Sequence, residues 1–228
     1  MNKRNALAAK MSEFSSLIEQ NLEEVLNELI SNNYKLRNLN LDVLLNNGIN
    51  KIYDEINELS ISVLTSFKNK YGINKICRLH KKQKNIPENL IREVIGAAKF
   101  ANNLRNINNS IILIKHNINE LYKYPVFKKQ AHIPDFTLMV SSFFKENIDL
   151  FFQNNNDINT KNRLFAELKK IIFLSHKMLN EFSQDIPDGN IDANSNENQV
   201  IYYSNIISYL ELIAINTFSL HSLANFKK

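Results

Sequence analysis

IPENLIREVIGAAKFANNLRNINNSIILIKHNINEL, residues 86–121, carries the period that fixes the fold class. Leu90, Val94, Ala97, Ala101, Leu104, Ile107, Ile111, Ile114, Ile118 and Leu121 follow one another at steps of three or four, the spacing that puts apolar side chains on one face of an α-helix. Pro87 stands where a helix begins, and its fixed φ and missing N–H suit a first turn. Within this run, residues 104–112 read LRNINNSII. Asparagine competes for its own backbone hydrogen bonds and is a mediocre helix former, yet the apolar spacing continues through the cluster. Helix propensity therefore does not account for the amides.

Outward from this segment the same period recurs. The spacing predicts helices from about Leu7 to Ile30 (Phe14, Leu17, Ile18, Leu22, Val25, Leu26, Leu29) and from about Leu36 to Phe67, where Ile49, Ile52, Ile56, Leu59, Val63 and Leu64 face inward. Beyond KYPVFKKQAHIPD it predicts three more, Phe136–Phe152, Ile158–Phe182 and Glu197–Phe226. Pro87, Pro125, Pro134 and Pro187 all lie beside polar stretches, as helix boundaries should. Only four Gly and four Pro occur in 228 residues, which disfavours turn-rich β classes, and no segment has strand alternation. The expectation is an all-α six-helix bundle.

The two halves align as copies. SLIEQNLEEVL (16–26) lies over SFFKENIDLFF (142–152), with Asn21 on Asn147 and apolar pairs at 17/143, 18/144, 22/148, 25/151 and 26/152. A tandem three-helix repeat follows, forming a single domain: repeat one about 7–122, a hinge about 123–134 and repeat two about 135–226. Phe143, Phe144, Phe151 and Phe152 read as core, with a dimer or partner surface as the alternative.

A formal charge of +5 and a hydrophobic content of 44% describe a chain able to bury a core. Such a charge ordinarily points to anionic partners. Here Asn, Ile and Lys, whose codons are A/T-rich, dominate together, so base composition accounts for much of it, and no nucleic-acid partner is expected. The exception is KNKYGINKICRLHKKQKN, where Lys68, Lys70, Lys75, Arg78, Lys81, Lys82 and Lys84 cluster. It reads as a solvated helix end and connector, or as a contact for anionic lipid or an acidic partner. No apolar run has membrane-spanning length, and MNKRNALAAKMSEF has no apolar core of signal-peptide length. A cytoplasmic location is expected. Cys77 is the sole cysteine, which excludes an internal disulfide and paired-thiolate zinc sites.

With its layout and motifs, the chain resembles the PhoU family. INKIYDEINELSISVL (49–64) looks like that family's second helix, and residues 86–121 look like its third, with Arg92 in the place of the arginine of an L-R pair. YLELIAINTFSLHSLAN (209–225) is similar to the L-E-R-I-G-D region of the second repeat, keeping Leu210, Glu211 and Ile213. The resemblance implies a non-enzymatic negative regulator of phosphate uptake and signalling. Its partners would be a phosphate ABC transporter and a sensor kinase, met at the cytoplasmic face of the membrane, with membrane association only through them; homodimerisation is compatible with the family. Family members carry an E-x-x-x-D pair on the third helix of each repeat, two carboxylates one turn apart that share metal ions. On this chain the pairs fall on Arg105 and Asn109, and on Glu211 and Ile215. Three of the four ligands are replaced, by a cation, a neutral amide and an alkyl chain. No metal and no cofactor are expected. The asparagines then read either as the remnant of a metal face or as a polar face supplied by codon usage.

No other chemistry competes. His80, His116, His132, His176 and His221 are scattered without metal-box spacing. Cys77 lies among lysines that would lower its pKa, but sequence supplies no positioned base. Gly72, Gly96 and Gly189 are isolated, and Gly96 is read as permitting close helix packing. A carboxylate-bundle hydrolase would need Glu-x-x-His pairs, which are missing, so the chain is not expected to be an enzyme. The alternatives to the regulator are a generic helical adaptor and an accessory of a phosphate permease.

Overall fold

The computed structural model describes residues 3–30, 41–71, 86–123, 132–153, 157–184 and 193–223. They form six helices: α1 (Lys3–Ile30), α2 (Leu41–Tyr71), α3 (Ile86–Leu121), α4 (His132–Gln153), α5 (Ile158–Gln184) and α6 (Ala193–Leu223). Among the described residues there is no strand. Pro87 and Pro134 sit in the first turns of α3 and α4, where no intrahelical N–H bond is lost. Asp157 caps α5: its carboxylate accepts the Thr160 backbone N–H at 2.9 Å and the Thr160 hydroxyl at 2.5 Å. Pro125 and Pro187 lie outside the described residues, as does residue 226, the expected end of α6.

The pairing of helices follows from residues that meet across them. Lys3 reaches Ser62 and Ser66, and Lys10 reaches Glu55, so α1 and α2 run antiparallel. Along α1 and α3 the partners advance together, Arg4 with Glu93, Asn21 with Asn108 and Glu24 with Lys115; these two helices are parallel. In the second half α5 is antiparallel to α6, through Phe165 with Phe218, Ser175 with Glu211 and Phe182 with Tyr203. The most extensive helix contact joins the halves along α3 and α6, and α1 also packs on α4. In cross-section α1 and α4 form one layer and α3 and α6 a second. α5 flanks that second layer beside α6, and α2 packs on both α1 and α3.

One apolar cluster runs through both halves. Every inward position expected on α3 for which burial is described, from Val94 to Leu121, is buried. Phe100 of α3 stacks on Phe151 of α4 at 4.4 Å, which ties the halves together at that end. Phe143, Phe144 and Phe151 are core residues, and Phe152 is partly buried against them. Gly96 is buried beside a cavity of about 50 Å³ bordered by Leu7, Met11 and Phe151. One inward expectation is corrected. Leu64 is exposed, because adjacent residues on a helix lie about 100° apart and Val63 takes the inward position against Val94.

Several core polar groups are satisfied across helices. Asn21 donates to the Asn108 side-chain oxygen at 3.1 Å, both residues being buried, while the Asn108 side-chain nitrogen meets no protein acceptor. Asn205 donates to Asn117 at 3.0 Å across the α3–α6 contact, while Asn117 donates to the Leu113 carbonyl. Of the residues aligned between α1 and α4, Ile18 and Phe144, Asn21 and Asn147, Leu22 and Ile148, and Val25 and Phe151 are all buried, whereas Leu17 is only partly buried and its counterpart Phe143 is buried.

Candidate functional site

The four positions at which the PhoU resemblance would place metal ligands lie on α3 and α6. Asn109 is exposed, and Arg105 turns toward α2, its guanidinium 4.8 Å from the centre of the Tyr53 ring. Glu211 turns the other way, to α5. Its carboxylate accepts the Ser175 hydroxyl, and His176 Nε2 stands 3.7 Å away. Ile215 is partly exposed on α6. One member of each pair is thus drawn to a different flanking helix. Among the described residues no three His, Cys, Asp or Glu side chains gather as a metal site would require. A cation at Arg105 and an alkyl group at Ile215 do not fit a metal ion.

The meeting of Ser175, His176 and Glu211 is not visible in residue spacing, because it depends on how α5 and α6 register. It contains the residue types of a hydrolytic triad in the wrong order. A nucleophilic serine needs its hydroxyl on the imidazole and the carboxylate behind that imidazole, whereas here Ser175 spends its proton on Glu211. Ser175 is also fully buried. The arrangement fastens α5 to α6.

The asparagine run divides by helix face. Asn106 and Asn109 point outward, whereas Asn108, four residues after Leu104, falls inside the apolar arc and receives the Asn21 bond. Asn102 and Asn103 line a cleft of about 530 Å³ between α2, α3 and α6, with Tyr53, Asn57, Lys99 and Ser219. His116, His132 and His176 are exposed. Lys68 and Lys70 belong to the last turns of α2, and the rest of the basic segment, with Cys77 and His80, lies outside the described residues.

Exposed apolar side chains are unevenly shared. Ile30 on α1 and Leu138 on α4 are the exceptions; all the other exposed large apolar residues found among the described residues, including Ile61, Ile95, Leu113, Phe165, Leu212 and Ile215, lie on α2, α3, α5 and α6. Ion pairs are not divided in this way: Lys145 meets Glu19 at 2.9 Å between α4 and α1, Lys10 meets Glu13 and Glu55 at 2.8 Å, and Arg163 and Lys177 of α5 meet Glu167 and Glu181 at 3.7 Å. Lys10 titrates above the ordinary lysine range because Glu13, and then Glu55, bond to its ammonium.

Compared with models of known protein families and with curated protein sequences, the chain matches none. No helix among the described residues is long and apolar enough to cross a membrane.

Proposed function

We propose that this protein is a non-catalytic regulator that acts by docking the α3–α6 face, with the adjoining α2, onto partner proteins. The observation that carries this reading is the concentration of exposed apolar side chains on α2, α3 and α6, against Ile30 on α1 and Leu138 on α4. Burying such a surface against a partner supplies the free energy that an isolated chain leaves unused. Leu113 and Leu212 lie at nearly the same level of the antiparallel α3–α6 pair, judged from the Asn117–Asn205 bond, and offer a contact area beside the Asn109 amide. Docking of this kind shifts a partner between states through differential affinity and needs no turnover.

For the partner, the PhoU-like reading assigns a phosphate transporter and its sensor kinase. The pairing of α1 with α4 and of α3 with α6, helices that the proposed tandem repeat makes equivalent, supports it. Deletion of the gene is expected to change phosphate uptake or the phosphate-starvation response. Unaltered uptake and signalling under phosphate limitation, with Leu212→Asp also leaving affinity-captured partners unchanged, would count against both parts.

A second reading, a helical adaptor with partners unrelated to phosphate, draws on Arg105 and Ile215, which stand where PhoU-like proteins need carboxylates. It predicts that Leu212→Asp releases captured partners while phosphate responses stay normal.

A further inference from the structure

α5 carries two stripes. The inner one, Leu164, Leu168, Ile171, Ser175, Met178 and Phe182, is buried. The outer one is unusual for a solvated helix: Ile158, Phe165 and Phe173 are 67%, 45% and 69% exposed. On a helical projection these three fall within a sector of about 80° and extend over about 22 Å. Lysines surround them. Lys169 and Lys170 precede Phe173 by four and three residues, and Lys177 follows it by four, so all three border its ring. Lys169 Nζ also lies 4.5 Å from the centre of the Phe165 ring. Of the two α5 carboxylates, Glu167 lies away from this stripe, 3.7 Å from Arg163, and exposed Glu181 lies at its edge, 3.7 Å from Lys177.

We propose that the outer face of α5 is a docking surface for an anionic lipid bilayer, contacted directly and without an intermediary protein. The charge is complementary to such a surface, since exposed positions 158, 161, 162, 165, 166, 169, 173, 176 and 180 include lysines and no carboxylate. The shape also favours a bilayer over a protein groove. The apolar groups are separate and project from a convex helix, each beside a lysine, as befits rings that enter the acyl boundary while ammonium groups remain among lipid phosphates. The inference is independent of the phosphate assignment, which concerns protein partners.

The test is sedimentation of the full chain with vesicles, comparing pure phosphatidylcholine with one part phosphatidylglycerol to two parts phosphatidylcholine. The protein is expected to sediment with the anionic vesicles only, and less at high salt. Phe173→Ser, and separately Lys169→Glu with Lys170→Glu, should lower the partition coefficient about tenfold or more. Their unchanged helical circular dichroism would establish that folding is intact, as expected for exposed positions. Absence of wild-type sedimentation would overturn the proposal and leave the basic face to an acidic protein. Wild-type binding by both folded variants would also overturn it.

Discussion

The halves of the bundle each contribute three long helices but are held by different chemistry. In the first, α1 meets α3 through directional bonds at successive levels: Arg4 with Glu93, Asn21 with Asn108, Lys115 with Glu24, and the Tyr122 hydroxyl on the Glu28 carbonyl. In the second, α4 offers Phe136, Val140, Phe143, Phe144 and Phe151 to the core. Its buried Asn147 donates only to the Phe143 carbonyl of its own helix, and its side-chain oxygen meets no protein donor. The outer helices differ too. α2 packs extensively on both α1 and α3, whereas α5 rests on α6 and hardly touches α4. One arrangement of helices can thus be secured by polar matching or by aromatic filling, and the two respond differently to substitution.

The largest effect should come from emptying the aromatic half. Phe144→Ala is expected to cost about 3–5 kcal/mol, measured by urea unfolding; a loss below about 1 kcal/mol would mean that this half repacks freely. Asn108→Ala tests the polar half. It strands the Asn21 amide in the core and should cost about 1–3 kcal/mol. Asn147→Leu sharpens the contrast, because it removes an oxygen that has no protein partner. A change within about 1 kcal/mol, of either sign, is expected in the same assay. A cost equal to that of Asn108→Ala would make the two asparagines equivalent after all.

The smallest effect concerns pH. The Thr160 hydroxyl and then its backbone N–H hold the Asp157 carboxylate below its usual range. A depressed folded-state pKa stabilises the fold above the unfolded value and stops doing so as pH falls through the folded one. Asp157→Asn should therefore flatten the decline of Tm below about pH 4. Wild-type and variant curves that remain parallel there would remove the cap from the account.

Much of the fold is legible in the sequence because burial on a long helix follows a fixed angular step. That is why the α3 positions from Val94 to Leu121 were assignable, along with the starts of α3 and α5. Leu64 was not, since Val63 and Leu64 are equally apolar neighbours and only packing against α3 selects between them. Asn108 was readable in principle: its distance from Leu104 and Ile111 places it inside the apolar arc, and only its polarity hides it. The approach of Ser175 and His176 to Glu211 depends on the relative slide of two helices, which no local spacing encodes.

That slide is fixed between the halves as well. Asn117 is almost wholly buried where it accepts the Asn205 amide. Moving α6 along α3 by one turn, about 5.4 Å, would take the half-buried Asn205 amide away from the buried Asn117 oxygen. An amide pair with one member buried acts as a detent. The bond therefore favours one register of the central helices over a one-turn ratchet, to which an all-hydrocarbon seam would offer less resistance.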